Sequence, residues 1–522
     1  MSGATANSYD ELPYKGAFIP MTHPDRMATM AILHGMTPTP VGRCRVLELG
    51  CCDGGNLLTI AQTLPGASLL GIDLSTRQVD EGRAMIEAVG AENVELRALD
   101  LMEFDDSFGR FDYILCHGVY SWVPAPVRDK ILQICKRHLA PDGVAYVSYN
   151  TLPGWGLRGT VRDLMCYHTR GIADPTARVQ QARAALDFIA STATPQDGPY
   201  ARYLREEIKK YEKFADAYIF HEFLEEEVHP VYFHEFAAHA ESAGLRYVSH
   251  ATLSIEEVTL PEDFRRVVGQ LGSDLIRREQ YIDFALNRPF RQSLLCHSGV
   301  MTFDRPVPEA VRSLRIAALA RPEKPDPDLA SSDRESFVTM FGDRRTADEP
   351  LIKAALVALY RLWPRSTDVE GLWASCVDLL GWSESSAGAN RDQFLPMLLR
   401  CHLLQLVDFH TTDPPIAAVP GERPRAGALA RHQAARNERL VSLRNHVTPI
   451  QEIDRLVLPL LDGSRDRAEI VREMALAVEA GKLKLQSDGE PITDPGAVRE
   501  ALRSIVPASL GRLAGAALLI GD

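Results

Sequence analysis

The feature that most constrains the fold is an alternation of short apolar runs with amphipathic stretches between about residues 44 and 150. Strands that alternate with helices form parallel sheets with helices on both faces. The pattern therefore predicts an α/β fold with a Rossmann-like, doubly wound and mostly parallel sheet, whose ligands bind beyond the carboxyl ends of its strands. Strands are expected at residues 45–49, 68–73, 94–99, 111–116 and 144–149, and helices at residues 56–64, 76–89 and 126–138.

The rest of the chain has a different pattern. Residues 175–213 have helical spacing and are interpreted as an insertion. An amphipathic helix at residues 233–245 and a strand at residues 246–249 would then close the sheet. The proline-rich stretch 321–328 predicts a linker. Beyond it the chain is mainly helical, with helices at about residues 351–363 and 369–380.

The size and charge of the chain limit its organisation and its partners. At 522 residues it exceeds the size at which one hydrophobic core keeps growing, so two or three domains are expected. A net charge of -13 would repel a phosphate backbone unless a basic patch were present. The densest basic stretch is interpreted as a solvated loop and helix face, so no nucleic-acid partner is expected. It contains Arg423, Arg425, Arg431, Arg436, Arg439 and Arg444.

The cysteines and the apolar runs bear on the cellular compartment. Nine cysteines in a chain of this length do not make a disulfide framework, and no Cys/His ligand spacing is present, so a reducing compartment and no metal are expected. No window approaches the roughly 18–20 apolar residues that span a bilayer, so no membrane insertion is expected. Residues 1–15 lack the apolar run of a signal peptide. The cytoplasm is the expected location.

The central motif is the turn that follows the first predicted strand, from Val46 to Asn56. Gly50 and Gly54 allow a tight turn and a close approach of a ligand to the backbone. The positive end of the following helix then faces the polar backbone of the ligand. Many strand–helix units contain such a turn, so it does not identify the ligand by itself.

Two carboxylates narrow the choice of ligand. Asp73 ends the second predicted strand, where an acidic side chain accepts hydrogen bonds from ribose hydroxyls. Asp100 follows the third, where it can contact the adenine amino edge. Either residue alone is equally typical of a helix N-cap. Together with the turn they favour an adenine nucleoside, while Cys52 breaks the spacing of dinucleotide-binding enzymes.

These motifs resemble those of the class I S-adenosylmethionine-dependent methyltransferases. The resemblance lies in Glu48-x-Gly50-x-x-x-Gly54, residues 71–75, Asp100 and residues 111–113. It implies S-adenosylmethionine as cofactor, with Glu48, Gly50 and Gly54 around the methionine part. Asp73 would hold the ribose and Asp100 the adenine. The further cofactor contacts expected are Asn56, Leu74 and Leu101.

A second resemblance covers nearly the whole chain. The strings at residues 22–26, 117–124, 146–155, 220–224, 232–236, 290–297 and 460–467 are similar to bacterial methyltransferases that carry a methyltransferase regulatory domain. Some members, notably rickettsial enzymes, methylate lysines of outer-membrane proteins, which implies a protein substrate. The resemblance implies an N-terminal lid at residues 1–43, a core at 44–170, an insertion with sheet closure and regulatory domain at 171–320, and a mainly α, winged-helix-like domain at 330–522.

Methylation of a lysine would require its amine to lose a proton first, because the unperturbed pKa is about 10.4. The candidate catalytic residues lie at the ends of the fourth and fifth predicted strands and are Tyr120, Tyr149, His117 and Asn150. Both tyrosines are expected to open onto the crevice and to form an aromatic wall with Trp122 and Trp155. His117 and Asn150 would orient the nucleophile or accept its proton. Packing under the loops is the alternative for both tryptophans.

Three functions remain open at this point. The first is methylation of protein nitrogen, with lysine side chains as the favoured acceptors. The second is N-, O- or C-methylation of a small molecule, and the third is a scaffold that holds the cofactor without turnover. The residues from about 330 onward are expected to recognise a partner, so a chain ending near Pro322 should still bind cofactor. The oligomeric state stays open.

Overall fold

The computed structural model describes residues 16–192, 198–225, 227–253, 260–270, 274–436, 438–487 and 490–521. Its centre is a mixed sheet. The strands of this sheet are β1 (Arg45–Leu49), β2 (Ser68–Asp73), β3 (Val94–Ala98), β4 (Phe111–Cys116), β5 (Leu139–Leu152), β6 (Val231–Tyr232), β7 (Leu245–His250) and β8 (Phe290–His297).

The strand order is β3-β2-β1-β4-β5-β8-β7, and the short strand β6 pairs with β5. The first five strands along the chain run parallel to one another, while β8 runs antiparallel to both β5 and β7. The order switches direction between β1 and β4. A crevice at the carboxyl ends of these two strands is therefore the expected ligand site of the sheet.

Helices cover both faces of the sheet, as expected for a doubly wound fold. The helices that precede β8 are α1 (Pro24–Leu33), α2 (Gly55–Thr63), α3 (Thr76–Val89), α4 (Ala125–His138), α5 (Gly154–His168), α6 (Pro175–Thr192), α7 (Pro199–Tyr211), α8 (Asp216–Phe223), α9 (Phe233–Ser242), α10 (Glu262–Gln270) and α11 (Leu275–Leu286). Helices α1, α2 and α3 pack on one face against residues such as Val46 and Leu69. Helices α4 and α9 pack on the other face against residues such as Leu47 and Ile114.

Most of the expected elements are found within a residue or two, and the fifth strand is the main exception. It was expected at residues 144–149, but β5 spans Leu139–Leu152. Its register against β4 shifts, since Leu139 pairs with Phe111 and Val144 pairs with Tyr113. The irregularity absorbs the Pro-Asp-Gly sequence at residues 141–143, which otherwise indicates a break. The expected insertion corresponds to α6 and α7, which form an apolar cluster with α5 and α8.

The stretch at residues 321–328, expected to be a linker, lies in a hairpin. Its first two residues belong to β10 (Ala320–Pro322), where Pro322 lies opposite Phe337 of β11 (Glu335–Thr339), and the rest lies in the loop between these two strands. The apolar side chains that follow belong to the same cluster as the α1 face of the sheet, so this part shares a core with it. The elements here are β9 (Arg315–Ala318), β10 (Ala320–Pro322), β11 (Glu335–Thr339), β12 (Arg344–Ala347), α12 (Pro350–Leu362), α13 (Val369–Leu380), α14 (Glu384–Asn390), α15 (Phe394–Leu403) and β13 (Val407–His410).

The last part of the chain has an apolar cluster of its own. Its first helix, α16 (Ala428–Ala435), contacts α2 and α3 beside the central sheet. Arg444, expected to be solvated, is only 1% exposed and pairs with Asp413 at 2.6 Å. Within the described ranges, no helix is long and apolar enough to cross a membrane. The elements are β14 (Arg425–Ala426), α16 (Ala428–Ala435), β15 (Leu440–Val441), β16 (Val447–Thr448), α17 (Glu452–Val457), α18 (Arg467–Glu479), β17 (Gln486–Ser487), β18 (Glu490–Pro491), α19 (Pro495–Gly515) and β19 (Leu519–Ile520).

Candidate active site

The turn after β1 takes its shape from residues in the left-handed region of the backbone. Gly50, Cys52 and Gly54 have φ angles of 74°, 52° and 71°. A Cβ atom on Gly50 would lie 2.4 Å from Cγ2 of Val119, so this position has no room for a side chain. The backbone N–H of Cys52 donates to Oδ2 of Asp73 over 2.8 Å. This hydrogen bond holds a cysteine where the resembling family has a glycine.

Glu48 lies at the carboxyl end of β1 and is only 4% exposed. Its Oε1 accepts a hydrogen bond from Nδ2 of Asn56 over 2.8 Å. Its Oε2 is buried and has no hydrogen-bond partner in the part of the chain that the structure describes. Burial raises the pKa of Glu48 to about 8, against the opposing effect of the Asn56 hydrogen bond. The switch point of the sheet thus contains a carboxyl group with an unused acceptor oxygen.

Asn56 also holds the N-terminal segment against the turn. Its Oδ1 accepts from the N–H of Ile19 over 3.0 Å, and its Nδ2 donates to Oγ1 of Thr22 over 2.9 Å. His23 follows and lies 2.8 Å from Oγ1 of Thr63 on α2 through its Nε2. His23 also caps α1, because its Nδ1 accepts a hydrogen bond from the N–H of Asp25 over 3.2 Å. Residues 16–23 therefore run beside the start of α2, while residues 1–15 of the expected lid lie outside the described ranges.

Asp73 and Leu74 lie at the carboxyl end of β2. The carboxylate of Asp73 accepts from the N–H groups of Cys52 and Ser75 over 2.8 and 2.9 Å. It therefore joins the end of β2 to the turn after β1. Leu74 is 62% exposed, which is unusual for a large apolar residue beside buried strands. An apolar side chain open at this edge provides a surface on which a planar ring can lie.

Asp100 and Leu101 follow β3 on the same edge of the sheet. The carboxylate of Asp100 accepts from the N–H of Met102 over 2.9 Å and caps a 3-10 turn formed by Leu101–Glu103. The N-cap that the sequence allowed as an alternative is therefore present. Leu101 is half-buried, and Met102 is 47% exposed. The ends of β1, β2 and β3 thus place one acidic residue each at the crevice.

His117 directly follows β4, and Asn150 lies within β5. Nδ1 of His117 is 2.8 Å from the hydroxyl of Tyr146. Burial lowers the pKa of His117 to about 4, so its ring is neutral near pH 7. The N–H of Asn150 donates to Oγ of Ser121 over 2.8 Å, which fixes the backbone of β5 to the loop after β4. Nδ2 of Asn150 is buried without a hydrogen-bond partner among the described residues.

Contrary to the expectation from the sequence, Tyr120 and Tyr149 do not open onto the crevice. They are 2% and 1% exposed and belong to the apolar cluster on the α9 face of the sheet. Tyr149 stacks on Phe236 of α9, with 4.0 Å between the ring centroids. Its hydroxyl lies 3.0 Å from Oγ of Ser293 on β8. Alternating residues of a strand point to opposite faces, and this register places Tyr149 on the face that α9 covers.

Tyr120 contacts His239, which in turn contacts Asp129, and the sequence did not reveal either contact. Nδ1 of His239 lies 2.7 Å from the hydroxyl of Tyr120, and its Nε2 lies 2.9 Å from Oδ1 of Asp129. His239 follows Phe236 by three residues on α9, so both side chains share the face that meets the sheet. That spacing was the one signal in the sequence that could have placed His239 on this face.

The expected aromatic wall is divided into two groups. Trp122 meets Trp155 edge to face, with 6.0 Å between ring centroids, and Trp155 stacks on Phe223 of α8. Tyr120 and Tyr149 pack together on the α9 face instead. Trp155 is 3% exposed, so it packs under the loops, which the sequence allowed as the alternative. Trp122 is half-buried in the loop that follows β4.

Three family models match successive parts of the chain. Residues 46–143 match a family described as "Methyltransferase domain". Residues 215–297 match "Predicted methyltransferase regulatory domain". Residues 422–518 match "PKMT, C-terminal winged helix domain".

Individual relatives extend the likeness to the full length. The uncharacterized protein RP789 of Rickettsia prowazekii is 31% identical over 99% of this chain and 94% of its own. PKMT2 from Rickettsia typhi, solved in complex with AdoHcy, superimposes with a TM-score of 0.86 at 30% identity, covering 98% of this chain and all of PKMT2. The chain belongs to the PKMT family of methyltransferases. It is an S-adenosylmethionine-dependent enzyme, as the motifs around Glu48 and Asp73 implied.

The crevice of this methyltransferase suits the chemistry of its cofactor. S-adenosylmethionine carries a positive sulfonium and an ammonium group, and Glu48 has an unused carboxyl oxygen. A ribose offers hydroxyl donors to Asp73, and an adenine offers a flat apolar face to Leu74. Within the described residues, no group of three or more His, Cys, Asp or Glu is arranged to hold a metal ion.

Proposed function

We propose that this methyltransferase methylates lysine side chains of proteins. The observation that carries the proposal is the full-length likeness to PKMT2, whose name denotes a protein lysine methyltransferase. The likeness includes the winged-helix part, which lies outside the catalytic sheet. A small-molecule acceptor would need only the sheet and its crevice, whereas a macromolecular acceptor gives the additional parts a surface to recognise.

The donor is proposed to lie across the carboxyl ends of β1, β2 and β3. When bound, S-adenosylmethionine supplies a methyl group on a sulfonium, which is open to in-line attack. Glu48, Gly50, Gly54 and Asn56 would surround its methionine part. Asp73 and Leu74 would hold the ribose and one face of the adenine, while Asp100 and Leu101 would hold the adenine edge.

The acceptor is proposed to enter beside the ends of β4 and β5. A lysine amine must be neutral to attack, and a free buried carboxylate at this place would stabilise its ammonium form. The groups found here are neutral, because burial keeps His117 unprotonated and Asn150 is an amide. Alignment of the amine with the methyl group can then supply much of the rate. We propose that His117 and Asn150 contact the acceptor.

Tyr120 and Tyr149 are proposed to support this site from below. Their hydroxyls face His239 and Ser293, so neither is directed at an acceptor in the crevice. Tyr120 begins the 3-10 turn Tyr120–Trp122, and Ser121 in that turn binds the backbone of Asn150. Packing of the two rings would therefore fix the loop that lines the acceptor side.

A transfer assay tests the proposed acceptor. The full chain is incubated with tritiated S-adenosylmethionine and a bacterial lysate, or with the same lysate after acylation of its lysines. We expect acid-precipitable label that acid hydrolysis releases as methyllysine, and we expect acylation to abolish it. The Asp73→Ala variant serves as the cofactor-deficient control. Label confined to acid-soluble small molecules would contradict the proposal and favour the small-molecule alternative.

The compartment is proposed to be the cytoplasm. Among the described residues, none of the nine cysteines is joined in a disulfide bond, and seven of them are buried. This number of cysteines without disulfide bonds suits a reducing environment. Fractionation of the source cells with an antibody against the chain tests this, and recovery in the periplasmic or membrane fraction would contradict it.

A further inference from the structure

Among the residues that the structure describes, the groups that act on Glu48 are negative or neutral. The charged side chains that act most strongly on it are Asp73 and Asp53, both carboxylates. The one hydrogen bond to its carboxyl group comes from the neutral amide of Asn56 and occupies Oε1. Its Oε2 is buried with no partner among the described residues. Within the described ranges this buried carboxyl group has no counter-ion, and such a group is complementary to a cation.

We propose that Glu48 makes the site prefer the sulfonium donor over the thioether product, and that it releases a proton to solvent when the donor binds. The proposal rests on the proposed position of the methionine part beside Glu48. The donor carries one positive charge more than the product, since its sulfur is charged. Both ligands carry the ammonium group, and they differ by the transferred methyl group and by the charge that it gives the sulfur. A residue that responds to this charge can therefore discriminate between them.

The physical basis is the coupling of ligand charge to proton binding. Burial raises the pKa of Glu48 to about 8, so the empty protein near pH 7 holds this group mainly in its protonated form. A cation beside Oε2 favours the carboxylate, and the carboxylate in turn binds the cation more tightly. One proton leaves Glu48 as one additional positive charge arrives. After methyl transfer the thioether no longer supports that carboxylate, which takes the proton back and weakens product binding.

The groups around Glu48 do not exchange the same proton near neutral pH. Burial raises the pKa values of the cysteine thiols on the turn and on β4, and that of the tyrosine on β5, so these groups stay protonated. They are Cys51, Cys52, Cys116 and Tyr146. His117 has its pKa lowered to about 4 and stays neutral. Asp53 and Asp73 are the other titratable neighbours of Glu48 in the part of the chain that the structure describes, and they act on it as negative charges.

Calorimetry of the full chain tests the proton release directly. Binding of S-adenosylmethionine and of its demethylated product is measured at pH 7.0 in phosphate and in Tris at equal ionic strength. The difference in apparent enthalpy between the buffers gives the number of protons exchanged. We expect the wild type to release most of a proton with the donor and clearly less with the product.

Two variants with the same change of charge complete the test. Glu48→Gln removes the titrating group but keeps its shape, and it should abolish the difference in proton release between the two ligands. It should also lower the ratio of donor to product affinity by about tenfold or more. Glu81→Gln, on the exposed face of α3, should behave as the wild type does.

The outcomes separate this inference from the proposed site. Equal proton release for both ligands in the wild type would overturn the inference, even if both bind well. The same holds if Glu48→Gln binds both ligands with an unchanged affinity ratio. Failure of the wild type to bind either ligand would instead overturn the proposed position of the donor. The wild-type measurement needs no variant, so it decides the matter if Glu48→Gln does not fold.

Discussion

The carboxylate of Asp25, at the start of α1, accepts a hydrogen bond from Nδ1 of His410 on β13 over 2.8 Å. The two residues are 385 positions apart in the chain. Beside them, Arg26 and Asp408 form a second ion pair at 2.6 Å. Thr22, in the segment that leads into α1, also accepts a hydrogen bond from Nδ2 of Asn56, beside the turn after β1. The C-terminal half is therefore attached to the segment that covers the start of α2.

This attachment changes the expectation for a shortened chain. Residues before and after Pro322 share one apolar cluster, so a chain that ends there would expose the α1 face of the sheet. We now expect such a chain to unfold or aggregate and to lose cofactor binding, which reverses the expectation from the sequence. Circular dichroism measures whether the shortened chain folds, and calorimetry with S-adenosylhomocysteine measures whether it binds.

A second shortened chain provides the control. Ending the chain at Asp413 keeps α12 to α15 and β13, and it removes mainly the separate C-terminal cluster. This chain should stay folded. A chain ending at Pro322 that folds and binds cofactor as well as the full chain would show that the shared core is dispensable.

Substitution of Asp25 tests the attachment itself. Although burial opposes it, hydrogen bonds from His410 and Thr411 lower the pKa of Asp25 to about 2. Because the folded-state pKa lies below the unfolded value of about 3.8, its contribution to stability is present above pH 4 and is lost as pH falls toward 2. Asp25→Asn should reduce the free energy of unfolding at pH 7 by about 3 kcal/mol.

Urea unfolding at several pH values measures this contribution. The difference in stability between wild type and Asp25→Asn should shrink as the pH falls from 5 toward 2. Asp80→Asn, on the exposed surface of α3, should differ little from the wild type at any pH. A difference for Asp25→Asn that is independent of pH would show that its carboxylate does not titrate as expected.

The sequence predicted the central sheet well because its strands are short buried runs separated by clear helix signals. The same local signals could not show that β5 continues through Pro141 and Gly143, since the shift in register depends on pairing with β4. The acidic residues at the strand ends were also predictable, because a strand end defines a position at the edge of a parallel sheet.

What the sequence could not give were contacts between distant segments. The partner of Tyr120 is His239, which is 119 residues away, and only the packing of α9 on the sheet joins them. The shared core across Pro322 has the same origin, because proline-rich sequence indicates a loop but not whether its two ends pair. The alternation of side chains along β5 also did not show which face of the sheet carries Tyr149, because that depends on how β8 closes the sheet.

Substitution of the acidic residues at β2 and β3 should affect the cofactor unequally. Asp73→Ala removes ribose hydrogen bonds and the acceptor of the Cys52 N–H, so binding should weaken by about 1.5–3 kcal/mol. Asp100→Ala removes a more exposed group, and its cost should be about 1 kcal/mol or less. Calorimetry with S-adenosylhomocysteine gives both values, and unchanged affinity in Asp73→Ala would exclude its proposed role.

The hydroxyls of Tyr120 and Tyr149 should matter for stability more than for chemistry. Tyr120→Phe leaves His239 without this contact, and Tyr149→Phe does the same to Ser293, at a cost of about 1–3 kcal/mol each. Turnover of folded protein should change by less than about threefold, with Tyr167→Phe on the exposed surface as control. A loss of turnover of a hundredfold or more would indicate that the hydroxyls take part in catalysis, as the sequence suggested.

The pH dependence of stability gives a view of Glu48 that needs no ligand. Its folded-state pKa of about 8 lies above the ordinary value of 4.5, so its contribution to the stability of the empty protein is fully present below pH 4.5. That contribution declines as the unfolded chain ionises and is lost as pH rises through about 8, by an amount on the order of 4 kcal/mol. Glu48→Gln should remove the decline, because the amide is neutral at every pH. Saturating S-adenosylmethionine should also flatten it in the wild type, since a bound cation lowers the pKa of Glu48 toward its unfolded value. Urea unfolding between pH 5 and 8.5 measures all three cases, and parallel curves for wild type and Glu48→Gln would show that the carboxyl group ionises freely in the folded protein.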